Sequence, residues 1–343
     1  MLNRADDGSR WDERIARARQ LAEKYSPAAD VLIFYAALAE FQKSLLHFTS
    51  VTDPLPPAPG PPEGGHYRGC ETQPRLFFES LDLDAVLAAI PDFLSWLQGV
   101  APARLTEAAA KMCQLDQAQW RRLAHSYVAC NGRDFEEADE TQLFVLEALL
   151  QPFAEQWAIR MAGASRRASV SARGAPPPLA ATPRLDGGDP SPAERLRSRR
   201  PDSPLRSPRL EDSLVAAAAG AAQSPSRCPL CGGLPVVGVL REEGQGARRA
   251  LVCALCLTER EYLRVVCPAC GEQQFDVLPI YTADQFAHVR IEACDRCRRY
   301  LKTIDLTKDG LAVPPVDDIA SVSLDLWARD RGYVRLRPNL LRI

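Results

Sequence analysis

At 343 residues, with 46% hydrophobic and 25% charged content, the chain has the composition of an ordinary soluble protein and can hold two compact regions. Its 42 Lys plus Arg against 44 Asp plus Glu leave a net charge of −2, so the overall balance gives no reason to invoke nucleic acid or an anionic membrane. The first ten residues are polar and charged with no apolar h-region, and the longest near-apolar runs, 31–39 and 214–222, are too short to span a bilayer. A reduced, cytoplasmic protein without membrane insertion is expected.

Residues 1–163 read as a helical domain. Trp11–Tyr25 sets Ile15, Ala18, Leu21 and Ala22 at helical spacing. Ser26-Pro27 supplies an N-cap followed by proline at the first helical position. The helix it opens runs through about Phe48 and is apolar almost all round over Val31–Tyr35, which makes it central. After a Pro/Gly-rich loop at Pro54–Gly65, helices are predicted over Asp82–Gln98, Pro102–Gln114, Gln117–Ala129 and Thr141–Met161, with a break at Asn131-Gly132. A multi-helix bundle buries these faces together.

Single residues in this half have plain explanations. Cys113 and Cys130 lie in apolar helical contexts, where a thiol behaves as a small hydrophobe. Cys70 neighbours His66 in a loop, but a nucleophile needs an orienting base and a pocket, so no catalytic residue is assigned. His47 and His125, like His288 further on, are isolated, and no P-loop or dinucleotide fingerprint occurs.

Between the halves, residues 164–226 are dominated by Ser, Pro, Ala and Arg and lack the aromatic residues needed to pack, which predicts a flexible linker with a short helix at Leu210–Ala222.

The chemistry lies beyond it. Eight of the eleven cysteines form four Cys-x-x-Cys pairs: Cys228/Cys231, Cys253/Cys256, Cys267/Cys270 and Cys294/Cys297. Such a pair in a tight turn points two sulfurs at one centre, and two pairs make the four-thiolate tetrahedron that zinc or iron accepts. Cys-Pro-Leu-Cys-Gly at 228–232 recurs as Cys-Pro-Ala-Cys-Gly at 267–271, and each is followed by an apolar run, a polar turn, a second run and another pair. One unit is written twice. Residues 227–263 form the first rubredoxin-like or zinc-ribbon module, with strands over Pro235–Leu240 and Arg249–Val252 and a turn through Glu243, Gly244 and Gly246. Residues 264–305 form the second, with strands over Phe275–Ile280 and His288–Glu292 and a loop around Asp284.

The repeat assigns Cys228, Cys231, Cys253 and Cys256 to one ion and Cys267, Cys270, Cys294 and Cys297 to the other. The short gap from Cys256 to Cys267 also permits a site shared by the middle pairs, or cross-bracing, both of which waste the repeat. No pair sits between strand and helix of a βαβ unit, which speaks against a thioredoxin-type redox motif. A unit of this size buries too little apolar area to offset its chain entropy, so a bound ion is expected to hold each ribbon together. From Cys228 to Tyr300 nine Arg face nine Asp plus Glu. Eight thiolates around two divalent ions would make the region acidic, unlike a ribbon with the basic stripe of a nucleic-acid binder.

Residues 306–343 form a C-terminal helix and tail. Tyr300–Asp305 is predicted to be a strand closed by the turn Lys308-Asp309-Gly310, and Pro314-Pro315 precede a helix over Asp317–Arg331. Its apolar face comprises Ile319, Ala320, Val322, Leu324, Leu326 and Trp327, and Trp327 anchors it on the ribbons or the bundle. The fold class is therefore α+β, a helical domain plus tandem ribbon modules with a closing helix.

The ordered knuckles carry a resemblance to a known family. Cys-Pro-Leu-Cys-Gly-Gly-Leu-Pro-Val from Cys228, Cys-Ala-Leu-Cys with Thr258-Glu259 after it, Arg264-Val265-Val266-Cys-Pro-Ala-Cys, and Glu292-Ala293-Cys-Asp-Arg-Cys followed by Tyr300-Leu301-Lys302 resemble the FdhE formate dehydrogenase accessory proteins. Asp317–Ser321 and Leu324–Ala328 are similar to that family's closing helix, and Arg17–Ala22 and Phe34–Ala39, more weakly, to its first two helices. The resemblance implies a non-enzymatic, metal-binding assembly factor with iron or zinc on the eight knuckle cysteines and the catalytic subunit of a molybdenum- or tungsten-dependent formate dehydrogenase as partner. The long linker departs from the family pattern. A nucleic-acid-binding zinc ribbon and a rubredoxin-like electron carrier are the alternatives.

Overall fold

The computed structural model describes residues 6–46, 81–129, 139–173, 226–244 and 246–343. The readings of His47, of the Pro54–Gly65 loop, of His66, Cys70, Cys130 and Asn131-Gly132, and of the linker over 174–225 with its Leu210–Ala222 helix, fall outside the described residues. Among the described residues seven helices come first: α1 (Asp6–Lys24), α2 (Ala29–Leu45), α3 (Leu83–Ala88), α4 (Ile90–Val100), α5 (Ala103–Met112), α6 (Gln117–Ala129) and α7 (Glu140–Arg173). The ribbon half then supplies β1 (Pro235–Glu243), β2 (Gly246–Cys253), β3 (Glu259–Glu261), β4 (Ile280–Thr282), β5 (Val289–Ala293) and β6 (Arg299–Asp305). It ends with α8 (Pro314–Ala320), α9 (Val322–Asp330) and β7 (Val334–Arg335). The described residues within 6–164 and 226–343 belong to one compact unit.

Proline and polar side chains explain where these elements depart from the sequence reading. Ser26 makes no side-chain cap: Ser26–Ala28 is a 3-10 turn with Pro27 near its start, and α2 begins after it. The helix expected over Asp82–Gln98 is two, because Pro91 has no N–H for the helical bond and sits in the first turn of α4. Asp82 caps α3, its carboxylate accepting from Ala85 N at 3.0 Å. The run Leu83–Val100 is long and apolar enough to cross a membrane by composition. Its break falls mid-run, and Leu87, Ile90, Phe93, Leu94 and Leu97 lie in the bundle core.

Helix α7 runs longer than expected and continues through Pro152. Proline removes the donor that would reach the carbonyl of Ala148, and Gln42 Nε2 of α2 donates to that oxygen at 2.7 Å instead. Cys113 does not act as a core hydrophobe. It follows the end of α5, is exposed, and receives only a 3.2 Å contact from Gln98.

The two predicted ribbons share one sheet, ordered β3-β2-β1-β6-β5-β4 with β7 beside β6. Hairpin β1–β2 and strand β6 join in parallel, in the register Gly238↔Thr303 to Leu240↔Asp305. Glycine is required there, since a Cβ on Gly238 would lie 2.4 Å from Thr303 Oγ1. The strand expected at Phe275–Ile280 is displaced. Pro279 cannot donate to a ladder, so Phe275–Val277 forms a 3-10 turn and pairing starts at Ile280. Strand β3 was not anticipated.

One face of the sheet packs on α1, α2 and the closing helices, through Val237, Val239, Ile291 and Ile304 against Ile15, Leu21, Leu32 and Val316. The closing helix is broken at Ser321, whose hydroxyl donates to Asp317 O (2.8 Å) and Asp318 O (3.1 Å) and so competes with the helical bonds. Lys302, wholly buried on β6, donates to Asp318 O at 2.6 Å and pairs with the carboxylates of Asp318 (3.2 Å) and Asp325 (2.5 Å). Arg335 reaches the same two acids. Burial raises the Asp318 carboxyl, but Arg335 and Lys302 outweigh it and hold the group below its usual range. Trp327 packs at a tilt of 59° against Tyr281 of β4, with ring centroids 4.7 Å apart, which settles its anchor as the ribbon side, whereas Leu326 is exposed.

Two cations balance two anions in this pocket, so removing one strands a buried charge. Lys302→Met is expected to lower unfolding stability by about 3–5 kcal/mol, whereas Arg241→Ala, breaking a surface pair with Glu259, stays within about 1 kcal/mol. Urea midpoints check this; equal midpoints for Lys302→Met and wild type would contradict it.

Candidate metal centres

The four Cys-x-x-Cys pairs fold as one turn repeated. In each, the N–H of the first cysteine donates to the carbonyl five residues on: Cys228 to Gly233, Cys253 to Thr258, Cys267 to Glu272 and Cys294 to Arg299, at 2.8–3.1 Å. The residue after each second cysteine has positive φ: Gly232 (73°), Leu257 (52°), Gly271 (79°) and Arg298 (57°). The two glycines take this angle without cost, while Leu257 and Arg298 hold it under strain of about 1–3 kcal/mol each. The sequence reading saw the glycines but not these two residues, whose only signal is their place in the repeat.

Pairing follows the repeat. Cys228, Cys231, Cys253 and Cys256 converge in one group and Cys267, Cys270, Cys294 and Cys297 in another, all sulfurs of a group lying within 4.8 Å of one another. The shared and cross-braced alternatives are not what the fold builds. Sulfurs from opposing knuckles stand 3.5 Å (Cys228–Cys256) and 3.4 Å (Cys231–Cys253) apart in the first tetrad. In the second they stand 3.7 Å apart (Cys267–Cys297 and Cys270–Cys294). A tetrahedron with metal–sulfur bonds of about 2.3 Å has edges of about 3.8 Å, so both tetrads fit an ion with little adjustment. Either can hold zinc or iron.

Their surroundings differ. The first tetrad is part of the helical core, packed with Leu255 alongside Trp120, Tyr127 and Phe153, and Gln151 of α7 donates to Ala254 O of its second knuckle at 3.0 Å. All four of its cysteines are buried to 5% exposure or less. A Cβ on Gly233 would come within 2.9 Å of Cys253 Sγ, so even the backbone is pressed against the sulfurs. In the second tetrad Cys267 and Cys294 are buried, but Cys270 is exposed and Cys297 half-buried. Glu272 and Arg296 pair across its two knuckles at 2.5 Å.

Electrostatics shows why each group calls for a cation. Cys228 is pulled far down because Cys231, Cys253 and Cys256 donate to it, while Cys231 and Cys253 are pushed well up by the same contacts and by burial. In the second group burial pushes Cys267 up to about 11 and Cys297 higher still. Opposed shifts of this kind mean that the neighbouring thiols of a group resist ionising together without a counter-charge.

His288 is not isolated. Its Nε2 lies 2.8 Å from Asp317 Oδ1, with Asp309 nearby, giving a third group of potential ligands. Arg17 already occupies both carboxylates, at 2.6 and 3.0 Å to Asp317 and 2.7 Å to Asp309, and the cluster serves as a charge link from α1 to the start of α8. His125 is exposed.

With both ions loaded, a soluble chelator is expected to remove metal in two phases, the second tetrad emptying first. Cys270→Ser should abolish the fast phase alone, and a single phase in wild type would contradict the inequivalence. Thiols held neutral must lose protons to bind metal, so zinc affinity of the second tetrad should rise steeply from about pH 6 to about pH 8 with proton release on loading. Calorimetry in buffers of differing ionisation enthalpy reads this directly, and pH-independent affinity would refute it.

Comparison with known proteins places this geometry. Residues 227–264 match the family model described as FdhE, central domain, and residues 265–342 match FdhE, C-terminal domain. A protein named Protein FdhE homolog from Aquifex aeolicus is 43% identical over 116 residues, covering 33% of this chain and 41% of that protein. One of the same name from Stutzerimonas stutzeri is 40% identical over 118 residues, covering 33% and 37%. The matched part thus spans about two fifths of these relatives. The crystal structure of the FdhE protein from Pseudomonas aeruginosa shares the fold with TM-score 0.59 at 23% identity, covering 98% of this chain and 96% of that one. Residues 227–342 thus resemble the central and C-terminal domains of FdhE, with one sulfur tetrad in each matched domain.

Proposed function

We propose that this chain is a cytoplasmic, non-enzymatic accessory factor that binds the catalytic subunit of a formate dehydrogenase during maturation. In this reading Cys228, Cys231, Cys253 and Cys256 hold one metal ion and Cys267, Cys270, Cys294 and Cys297 a second. The observation that carries it is the pair of tetrahedron-sized sulfur groups, one in each matched family domain. Each ion would supply charge neutralisation and a cross-link between knuckles, with a one-electron couple if the metal is iron.

The residues around the tetrads divide the work. Leu255, Gln151 and the bundle core exclude water from the first, which suits a structural link between helices and sheet. Exposed Cys270 leaves the second open to solvent or to a bound protein. That openness is also what a rubredoxin-like electron carrier needs, and it keeps such a carrier as the second reading. A reversible iron couple in the second tetrad would favour the carrier, and protein isolated anaerobically with zinc alone would remove it.

Deleting the gene is expected to abolish formate dehydrogenase activity while the enzyme's polypeptides are still made, and the tagged full-length chain should co-purify the catalytic subunit. Unchanged activity together with no co-purified subunit would overturn the proposal.

A further inference from the structure

The sheet has a second face, opposite the helices, and part of it is open. Leu301 of β6 and Leu336 form a small apolar floor there, from which a cavity of about 200 Å³ opens beside Cys267 of the second tetrad. Val265, Phe275 and Ile280 line it and are 49%, 81% and 55% exposed. Scattered apolar exposure is ordinary, but three large side chains converging on one cavity form a contiguous patch of the kind that marks an interaction site. The cavity is smaller than the roughly 300–1,000 Å³ of small-molecule sites, so it suits one or two side chains of a protein and not a cofactor.

Two further features limit the occupant. The sheet path ends at β4, so among the described residues the strand carrying Ile280 has no partner on its outer edge beside the cavity, an edge able to take an extended segment. Arg264 and Arg299 stand exposed among the lining residues with no side-chain ion pair among the described residues, while the one acid there, Glu292, is neutralised by Arg249 and Arg290. The free charge of the groove is positive. Residues 164–226 of this chain carry ten Arg against six Asp plus Glu, so their net charge does not complement the groove.

We infer that this groove, bounded by Phe275, Ile280, Arg264 and Arg299, docks an extended client segment in which a bulky apolar side chain is flanked by carboxylates. Resting on the reading above, the segment belongs to the formate dehydrogenase catalytic subunit, and it binds beside Cys267 of the second tetrad. The apolar side chain fills the cavity, the carboxylates meet the two arginines, and the backbone adds to β4.

Three full-length variants test this, all at exposed positions: Phe275→Ser with Ile280→Ser, Arg264→Glu with Arg299→Glu, and Leu311→Ser as a control on a surface remote from the groove. Co-purification of the catalytic subunit is read for each, alongside metal content and size-exclusion profile. Both groove variants should lose subunit binding at least about tenfold with two ions still bound, and Leu311→Ser should bind as wild type. Undiminished binding by the groove variants, with wild type binding, would overturn the docking site and leave the accessory role standing. Absence of binding by wild type would instead remove that role and the client with it. A wild-type dimer dissolved by the same groove substitutions would assign the groove to a second copy and overturn the inference.

Discussion

The contact between the sulfurs of Cys231 and Cys253, 3.4 Å apart where two knuckles meet inside the helical core, is the constraint on which the rest depends. Thiolates that close repel strongly at low dielectric, and thiols that close have little to gain from one another. The arrangement becomes favourable when a cation sits among the sulfurs, and the proposed ion would then bind helices and sheet together as well as two hairpins. Tyr127 lines a small cavity with Cys231, and the four cysteines share one hydrophobic core with Trp120 and Phe153, so loss of the ion would be felt by the bundle.

The second tetrad inherits the same turn chemistry in a different setting. Parallel pairing of β1 with β6 brings the two repeats into one sheet, and the close approach of Gly238 to Thr303 fixes their register. Burial of Lys302 between Asp318 and Asp325 then seats the broken closing helix over that sheet, with Arg335 balancing the charge. What remains uncovered in the second module is the exposed Cys270, the half-buried Cys297 and, beside Cys267, the apolar groove. One centre is enclosed by the fold and the other is left facing outward, a division that a tandem duplication alone does not impose.

Much of this was legible because it is local. Four Cys-x-x-Cys pairs in a repeated unit specify their own pairing, and the alternation of β5 around Ile291 appears as a buried strand should. What escaped depends on distant partners or on proline. Nothing near His288 announces Asp317 and Arg17, which lie 29 and 300 positions apart from their respective contacts. The predicted helix over Thr141–Met161 runs through Pro152, but nothing local shows that Gln42, more than a hundred positions away, takes the carbonyl the proline orphans. Pro91 and Pro279 broke elements that hydrophobic spacing alone joined. Cys113 was misjudged because helical spacing does not say which side of the last turn a thiol takes.

The most direct test of the account is metal content with sulfur K-edge and metal X-ray absorption on full-length protein purified anaerobically. The account predicts two ions per chain, each with about four sulfur neighbours at about 2.3 Å. Fewer than two ions, or nitrogen and oxygen neighbours in place of sulfur, would contradict it.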